Sequence, residues 1–140
     1  MGAVALLANP QSGSGEADRV EELLRDRGAD VSRFSLDEAT AVLESEPQRI
    51  VVAGGDGSVG CAADVAARAP APLAVVPVGT ANDFARALGI PLDVAQATEL
   101  AVRGTRTRPL DLGAAAGESP ALAALTNGRS PTRSGPCARA

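Results

Sequence analysis

Apolar and polar positions along the chain predict strands and helices in turn. Short apolar runs, several rich in β-branched side chains, are typical of strands buried on both faces. These runs cover residues 3–8, 29–34, 50–53 and 73–77, and another strand begins near 110–112. Apolar residues at helical spacing and capping residues predict helices between them. The helices cover residues 16–27, 58–68, 83–88 and 93–102. Ser35 and Glu38 fit a capping box for a shorter helix that ends near residue 43. This alternation predicts a three-layer α/β domain: a mostly parallel sheet with helices on both faces.

Three polar loops follow strands that end at the same predicted edge of the sheet. They read NPQSGSG at 9–15, GGDGS at 54–58 and PVGTAND at 77–83. Ligands of such sheets bind at the carboxyl ends of the strands. Glycine turns and helix N-termini present backbone N–H groups that suit phosphate. Together the loops predict a common polyanionic ligand, although each loop alone is also compatible with an ordinary turn and a helix cap.

Asp56 stands in the middle of the glycine loop, where a carboxylate would repel phosphate unless something compensates. Either it binds Mg²⁺, which bridges phosphates, or it accepts hydrogen bonds from a ligand hydroxyl or from backbone. The alternative is a turn-forming Asp that bonds its own backbone. Arg86 is the nearby cation, and it either neutralises phosphate or pairs with Asp83 at i+3.

Composition removes several mechanisms. The 13 basic residues are all Arg, and the chain has no His, Trp or Tyr. Without His there is no Ser-His-Asp triad, and without Lys there is no Walker-type phosphate loop, Schiff base or protein-kinase signature. The net charge of −4 gives no basic surface for nucleic acid.

The two cysteines and the chain ends complete the sequence-level picture. Cys61 and Cys137 fit neither a disulfide framework nor a metal pattern, which predicts two unpaired thiols. The first apolar run is too short for a signal peptide or a membrane span, which predicts a cytoplasmic protein. Residues 114–140 are mostly Ala, Gly, Ser, Pro, Arg and Thr, so they are predicted to be a largely disordered tail behind a domain at 1–113.

The three loops together resemble the catalytic domain of the diacylglycerol kinase family, which includes bacterial lipid kinases and sphingosine kinases. The matching motifs are Asn-Pro-x-Ser-Gly at 9–13, Gly-Gly-Asp-Gly-Ser at 54–58 and Pro-x-Gly-Thr-x-Asn-Asp-Phe-Ala at 77–85. NAD kinase and phosphofructokinase are more distantly similar. The resemblance implies an ATP-dependent, magnesium-using kinase that phosphorylates a lipid hydroxyl such as that of diacylglycerol, with transient membrane contact and with ATP in a cleft between two domains.

The resemblance also implies which residues contact the nucleotide. The glycines would let the backbone approach the phosphates, and Asp56 would orient the nucleotide–metal assembly as a magnesium ligand. The expected contacts are Asn9, Ser12, Gly13, Ser35, Gly54, Gly55, Asp56, Gly57, Ser58, Gly79, Thr80, Asn82 and Asp83.

Two departures from the family pattern shape the functional expectation. Gly60 and Cys61 stand where family members usually carry Asn and Glu. The family continues after the Asp-Leu-Gly at 111–113 into a β-rich second domain. That domain supplies the lipid pocket and the acidic residue that activates the substrate hydroxyl. Because the tail does not resemble that domain, the sequence predicts a truncated chain that is inactive alone. An out-of-frame reading of the gene is one hypothesis for the tail. The alternatives are a non-catalytic ATP-binding module that acts with a partner chain and a nucleotide kinase of the NAD kinase type. The lipid-kinase-like motif at 77–83 weighs against the latter.

Overall fold

The computed structural model describes residues 2–9, 15–69, 71–111 and 121–125, and for 108–111 and 121–125 it describes the backbone alone. Strands and helices alternate from the start of the chain. The strands are β1 (Ala3–Ala8), β2 (Asp30–Ser35), β3 (Arg49–Gly54), β4 (Leu73–Pro77), β5 (Thr107–Asp111) and β6 (Ala121–Leu125). The helices are α1 (Glu16–Asp26), α2 (Ala39–Glu44), α3 (Asp56–Ala66), α4 (Asp83–Leu88) and α5 (Val94–Arg103).

The strands form one sheet in the order β2-β1-β3-β4-β6-β5. The first four are parallel to one another, and β5 alone runs antiparallel, against β6. The connection from β1 to β2 runs in one direction along the sheet, whereas the connections from β2 to β3 and from β3 to β4 run in the other direction. Because such crossovers are right-handed, α1 lies on one face of the sheet and α2 and α3 lie on the other. Accordingly α1 packs against α5, whereas α3 packs with α2 and α4. The predicted three-layer fold is confirmed.

The central strands form the core because both of their faces are covered by helices. Every residue of β4 is buried, and so is every residue of β3 after Arg49. The largest fully buried side chains include Leu6, Ile50 and Leu73. Continuous apolar runs therefore identified these strands correctly, as expected for a parallel sheet.

Two helix starts differ from the sequence-based expectation. Helix α3 begins at Asp56, with Gly55 as its N-cap, and not at Ser58. Helix α2 begins after Glu38 and not at a Ser35 cap, because Glu38 accepts hydrogen bonds from both the Ser35 N–H and its hydroxyl, at 3.0 Å each. The Ser-x-x-Glu pattern thus forms its hydrogen bonds in the turn before the helix.

Strand β6 lies inside the segment that the sequence predicts to be disordered. It pairs with β5 along its length and meets β4 at Leu73 and Ala124. Without β6, the edge of β4 that faces away from β3 would leave backbone groups unpaired at Leu73. A short apolar segment such as ALAAL can satisfy such groups although it is too short to fold alone. The other residues of 114–140 lie outside the described residues, so the division into a domain and a tail stays a prediction.

One prediction about the cysteines is wrong. Cys61 is disulfide-bonded, whereas its position in the sequence predicted an unpaired thiol. The spacing of cysteines along the sequence does not show which segments approach each other in space, so it did not predict this bond. Cys137, the other cysteine of the chain, lies outside the described residues. In the part of the chain that the structure describes, no helix is long and apolar enough to cross a membrane.

Candidate functional site

The strand register brings the predicted loops to one edge of the sheet. Ala8 of β1 is level with Ala53 of β3, and Gly54 is level with Pro77 of β4. The exposed Asn9 follows directly after β1, so the loop after β1 starts at the same edge of the sheet. Ser12 and Gly13, predicted to contact the nucleotide, lie outside the described residues.

The glycine loop after β3 and the loop after β4 are in direct backbone contact. The Val78 N–H donates to the Gly54 carbonyl at 3.2 Å. A β-carbon built on Gly79 would come within 2.4 Å of the Gly55 Cα, and one built on Gly55 would come within 3.2 Å of the Gly79 Cα. Glycine is needed at Gly79 because two backbones pass each other there.

Asp56 bridges the same two loops. Its Oδ2 accepts a hydrogen bond from the Asp83 N–H at 3.0 Å, and its Oδ1 accepts one from the Phe84 N–H at 2.9 Å. These are the first two N–H groups of α4, which have no partner inside the helix. A carboxylate at that position stabilises the helix through both hydrogen bonding and the helix dipole.

The N-terminus of α3 is open, in contrast to that of α4. Its N-cap is Gly55, which offers no side-chain cap, and a β-carbon built on Gly57 would meet nothing within 4 Å. The N–H groups of the first turn, from Asp56 to Ser58, have no acceptor inside the helix, and the space beside the Gly57 Cα is open. Gly54 differs, because a β-carbon there would come within 2.5 Å of the Ser58 Cβ.

The residues that lead into α4 form a tight turn. Asn82 adopts the left-handed conformation, with φ of 54°. Its Oδ1 accepts from the Gly79 N–H at 3.1 Å and its Nδ2 donates to the Gly79 carbonyl at 3.0 Å. With its amide used in this way, Asn82 makes no side-chain cap on α4. Thr80 and Asp83 are exposed at the same edge.

Ser35 lies apart from this pair of loops. It ends β2, which is separated from β3 by β1, so it lies about 10 Å from β3 at ordinary strand spacing. Its hydroxyl donates to the carboxylates of Asp37 and Glu38. The structure therefore brings together the predicted residues at 54–58 and 79–83, and places Ser35 beside two acids at the sheet margin.

Arg86 does not pair with Asp83 among the described ion pairs. Its Nε donates to the Ala81 carbonyl at 2.9 Å, and the residue is exposed. The loop thus tethers the guanidinium through one nitrogen and leaves its remaining N–H groups available to an anion.

Metal-binding groups are sparse at this edge. Within the described ranges no three His, Cys, Asp or Glu side chains are grouped so as to hold a metal ion. Asp56 offers one carboxylate whose two oxygens each already accept one N–H. A magnesium ion at this edge would therefore be held mainly by the phosphates with which it arrives and by water, which are common ligands of this ion.

Sequence reasoning missed the bridge from Asp56 to α4. Residues 56 and 83 are 27 positions apart, and no short motif connects them. The available signal was the capping pattern: α4 begins at Asp83, directly after Asn82, whose side chain bonds backward to Gly79 in a Gly-x-x-Asn turn. A helix whose own N-cap side chain is used elsewhere needs another acceptor, and the nearest loop of the sheet edge supplies it.

Comparison with known proteins identifies the family of this chain. The model of the diacylglycerol kinase catalytic domain matches residues 3–115. A diacylglycerol kinase from Mycobacterium tuberculosis (strain ATCC 25618 / H37Rv) is 34% identical over 124 residues, which cover 81% of this chain and 40% of the relative. A protein named "Probable lipid kinase YegS-like" from Pseudomonas aeruginosa (strain UCBPP-PA14) is 51% identical over 71 residues, which cover 49% of this chain and 23% of the relative.

Solved structures show the same fold. A crystal structure of a diacylglycerol kinase from Bacillus anthracis str. Sterne superposes with a TM-score of 0.61 at 29% identity, covering 79% of this chain and 46% of that one. The chain thus spans less than half the length of the relatives it matches. With the family model matching most of its length, this chain belongs to the diacylglycerol kinase catalytic domain family.

Proposed function

We propose that this chain is the ATP-binding part of a lipid kinase, and that the N-terminus of α3 binds the phosphates of ATP. One observation carries the proposal: the first turn of α3 has uncapped N–H groups beside the open position at Gly57, while the charge of Asp56 is engaged by α4. A helix N-terminus with a glycine turn favours phosphate through its N–H groups and its dipole.

The surrounding residues complete a phosphate site. Thr80 supplies an exposed hydroxyl on the neighbouring loop, and Arg86 supplies a tethered guanidinium. Asn9 lies at the end of β1, on the other side of the glycine loop. Magnesium bound together with ATP would neutralise charge on the phosphates, so this chain would need to contribute few ligands of its own.

The lipid acceptor is also part of the proposal. Relatives are named diacylglycerol kinase and lipid kinase, and the chain spans 40% and 23% of the two relatives above. Among the described residues the acids at the site are Asp56, which accepts two N–H groups, and Asp83, the first residue of α4. The described surface exposes one large apolar side chain, Leu92, which is too little to line a pocket for an acyl chain. We therefore expect the 140-residue chain to bind ATP without transferring phosphate to lipid.

Two assays on the purified chain test this function. Thermal unfolding with Mg-ATP at 100 times its dissociation constant should show stabilisation by about 2.7 kcal/mol. Incubation with radiolabelled ATP and diacylglycerol should leave the lipid unlabelled. A melting temperature that ATP at millimolar concentration leaves unchanged would contradict nucleotide binding. Labelled lipid would contradict the expectation that the described residues do not form an acceptor site.

A further inference from the structure

We propose that Asp56 is a positioning residue: it holds α4 and the loop after β4 against the phosphate-binding loop, and it is not a ligand of the metal ion. The nucleotide half of this inference rests on the proposed function above. The claim that Asp56 holds α4 stands on its hydrogen bonds to the N–H groups of that helix, so the two claims are tested separately.

Asp56 replaces the missing N-cap of α4. Asn82 occupies the N-cap position, but its amide bonds Gly79 and not the helix. The acceptors for the first N–H groups of α4 come instead from Asp56, at 3.0 and 2.9 Å. A helix of six residues is marginal alone, so its position depends on this cap and on the buried Phe84 and Leu88.

The cap also sets the spacing of the candidate site. Asp56 is the first residue of α3, directly after Gly55, and Gly55 contacts Gly79. The loop after β3 and the loop after β4 are therefore joined in two ways: between backbones, by the Gly55–Gly79 contact and the Val78–Gly54 hydrogen bond, and through the Asp56 carboxylate. With both in place, the exposed Thr80 and the open first turn of α3 keep a fixed relative position before any ligand arrives.

The same arrangement explains how an acid can be accommodated in a phosphate loop. Both carboxylate oxygens are turned to the N–H groups of α4, where the positive end of a helix dipole offsets their charge. The N–H groups of α3 then remain for an anion. An Asp at this position thus contributes to phosphate binding by joining the loops and not by contact with the phosphate–metal group.

Hydrogen exchange and nucleotide titration of three variants test the proposal. Asp56→Asn keeps one acceptor oxygen and Asp56→Ala keeps none. Asp64→Asn is the control, because it removes the same charge from an exposed position on the same helix. Amide exchange is followed at Asp83 and Phe84, with the amides of β3 and β4 as the internal reference for folding. ATP affinity is measured by calorimetry with Mg²⁺ and with EDTA.

The positioning role predicts a graded and metal-independent result. In Asp56→Asn, amide exchange should rise by about tenfold or more at either Asp83 or Phe84, and in Asp56→Ala it should rise at both. The effect is this large because each lost hydrogen bond is charge-assisted. ATP affinity should fall by the same factor with Mg²⁺ and with EDTA, and Asp64→Asn should change neither quantity.

Three results would overturn the proposal. Affinity lost only when Mg²⁺ is present would make Asp56 a metal ligand. Unchanged ATP affinity in a folded variant would show that Asp56 caps α4 without contributing to nucleotide binding. Unchanged exchange at both amides would show that Asp56 does not cap α4. If the unaltered chain binds no ATP, the proposed function fails, while the exchange measurement still decides whether Asp56 holds α4.

Discussion

Gly79 lies against Gly55 so closely that a β-carbon on Gly79 would come within 2.4 Å of the Gly55 Cα. Here two loops of the sheet edge meet backbone to backbone. The atoms in the way belong to the main chain, which cannot rotate aside as a flexible side chain could. The contact fixes the geometry of the candidate site. It also means that substitutions of the glycines in these loops should have different effects on stability.

Gly79→Ala should destabilise the fold. The added methyl group meets backbone atoms, so the loops must separate, at a cost of about 1–3 kcal/mol, as for overpacking elsewhere. Urea denaturation of the variant and the unaltered chain measures the difference. Equal free energies of unfolding would show that the two loops have room to part.

Gly57→Ala should have opposite effects on stability and on binding. A β-carbon there meets nothing, and replacing a helical glycine raises stability by about 0.4–1 kcal/mol by restricting the unfolded chain. If ATP phosphate occupies that space, the same methyl group should weaken Mg-ATP binding by more than about tenfold, or 1.4 kcal/mol. Denaturation and calorimetry check both signs. A more stable variant with unchanged affinity would place the phosphates elsewhere.

Strand β6 should contribute to stability. It lies between β4 and β5, so its removal leaves β5 without its partner in the sheet. A chain ending after Gly113 should melt several degrees below one ending after Thr126, since 1 kcal/mol corresponds to about 4–8 °C for a domain of this size. Ala124→Pro should act in the same direction by removing an N–H from the ladder. Equal melting temperatures for the two truncations would support the disorder predicted from composition.

Glu99 should make stability depend on acid pH. The hydrogen bond from Arg27, with a further contribution from Arg103, lowers the pKa of Glu99 below its ordinary value of 4.5. A lowered folded-state pKa means that the stabilisation is present above pH 4.5 and is lost as the pH falls through the lowered value. Glu99→Gln should therefore melt below the unaltered chain at neutral pH, by a small margin because the group is exposed, and the gap should close in acid.

The control for this effect is Glu44→Gln, which alters an exposed acid that has no ion pair among the described residues. Its melting temperature should follow the unaltered chain at every pH. A gap for Glu99→Gln that persists unchanged into strong acid would show that the ion pair with Arg27 is not its cause.

Local patterns predicted the sheet and most helices because they depend on neighbouring residues. The runs at 50–53 and 73–77 matched β3 and β4, and α4 begins and ends where its pattern does. The edge position of the loops after β3 and β4 followed as well, because parallel strands end together. These features need no knowledge of contacts between distant segments.

Features that depend on distant contacts were not predictable in the same way. The bond from Asp56 to the N–H of Phe84 joins separate loops, and a short motif gives no indication of it. Strand β6 was missed because the five residues from Ala121 to Leu125 acquire order only beside β5 and β4. The disulfide at Cys61 was missed for the same reason.

The central claim is that ATP phosphates bind at the first turn of α3, and backbone amide NMR tests it most directly. Titration of the ¹⁵N-labelled chain with Mg-ATP should shift the amides of Gly57 and Ser58 most strongly, with Thr80 next, and should leave Ser32 and Arg33 of β2 unmoved. Saturating Mg-ATP that leaves the amides of Gly57 and Ser58 in place, or that shifts only residues away from this edge of the sheet, would contradict the claim.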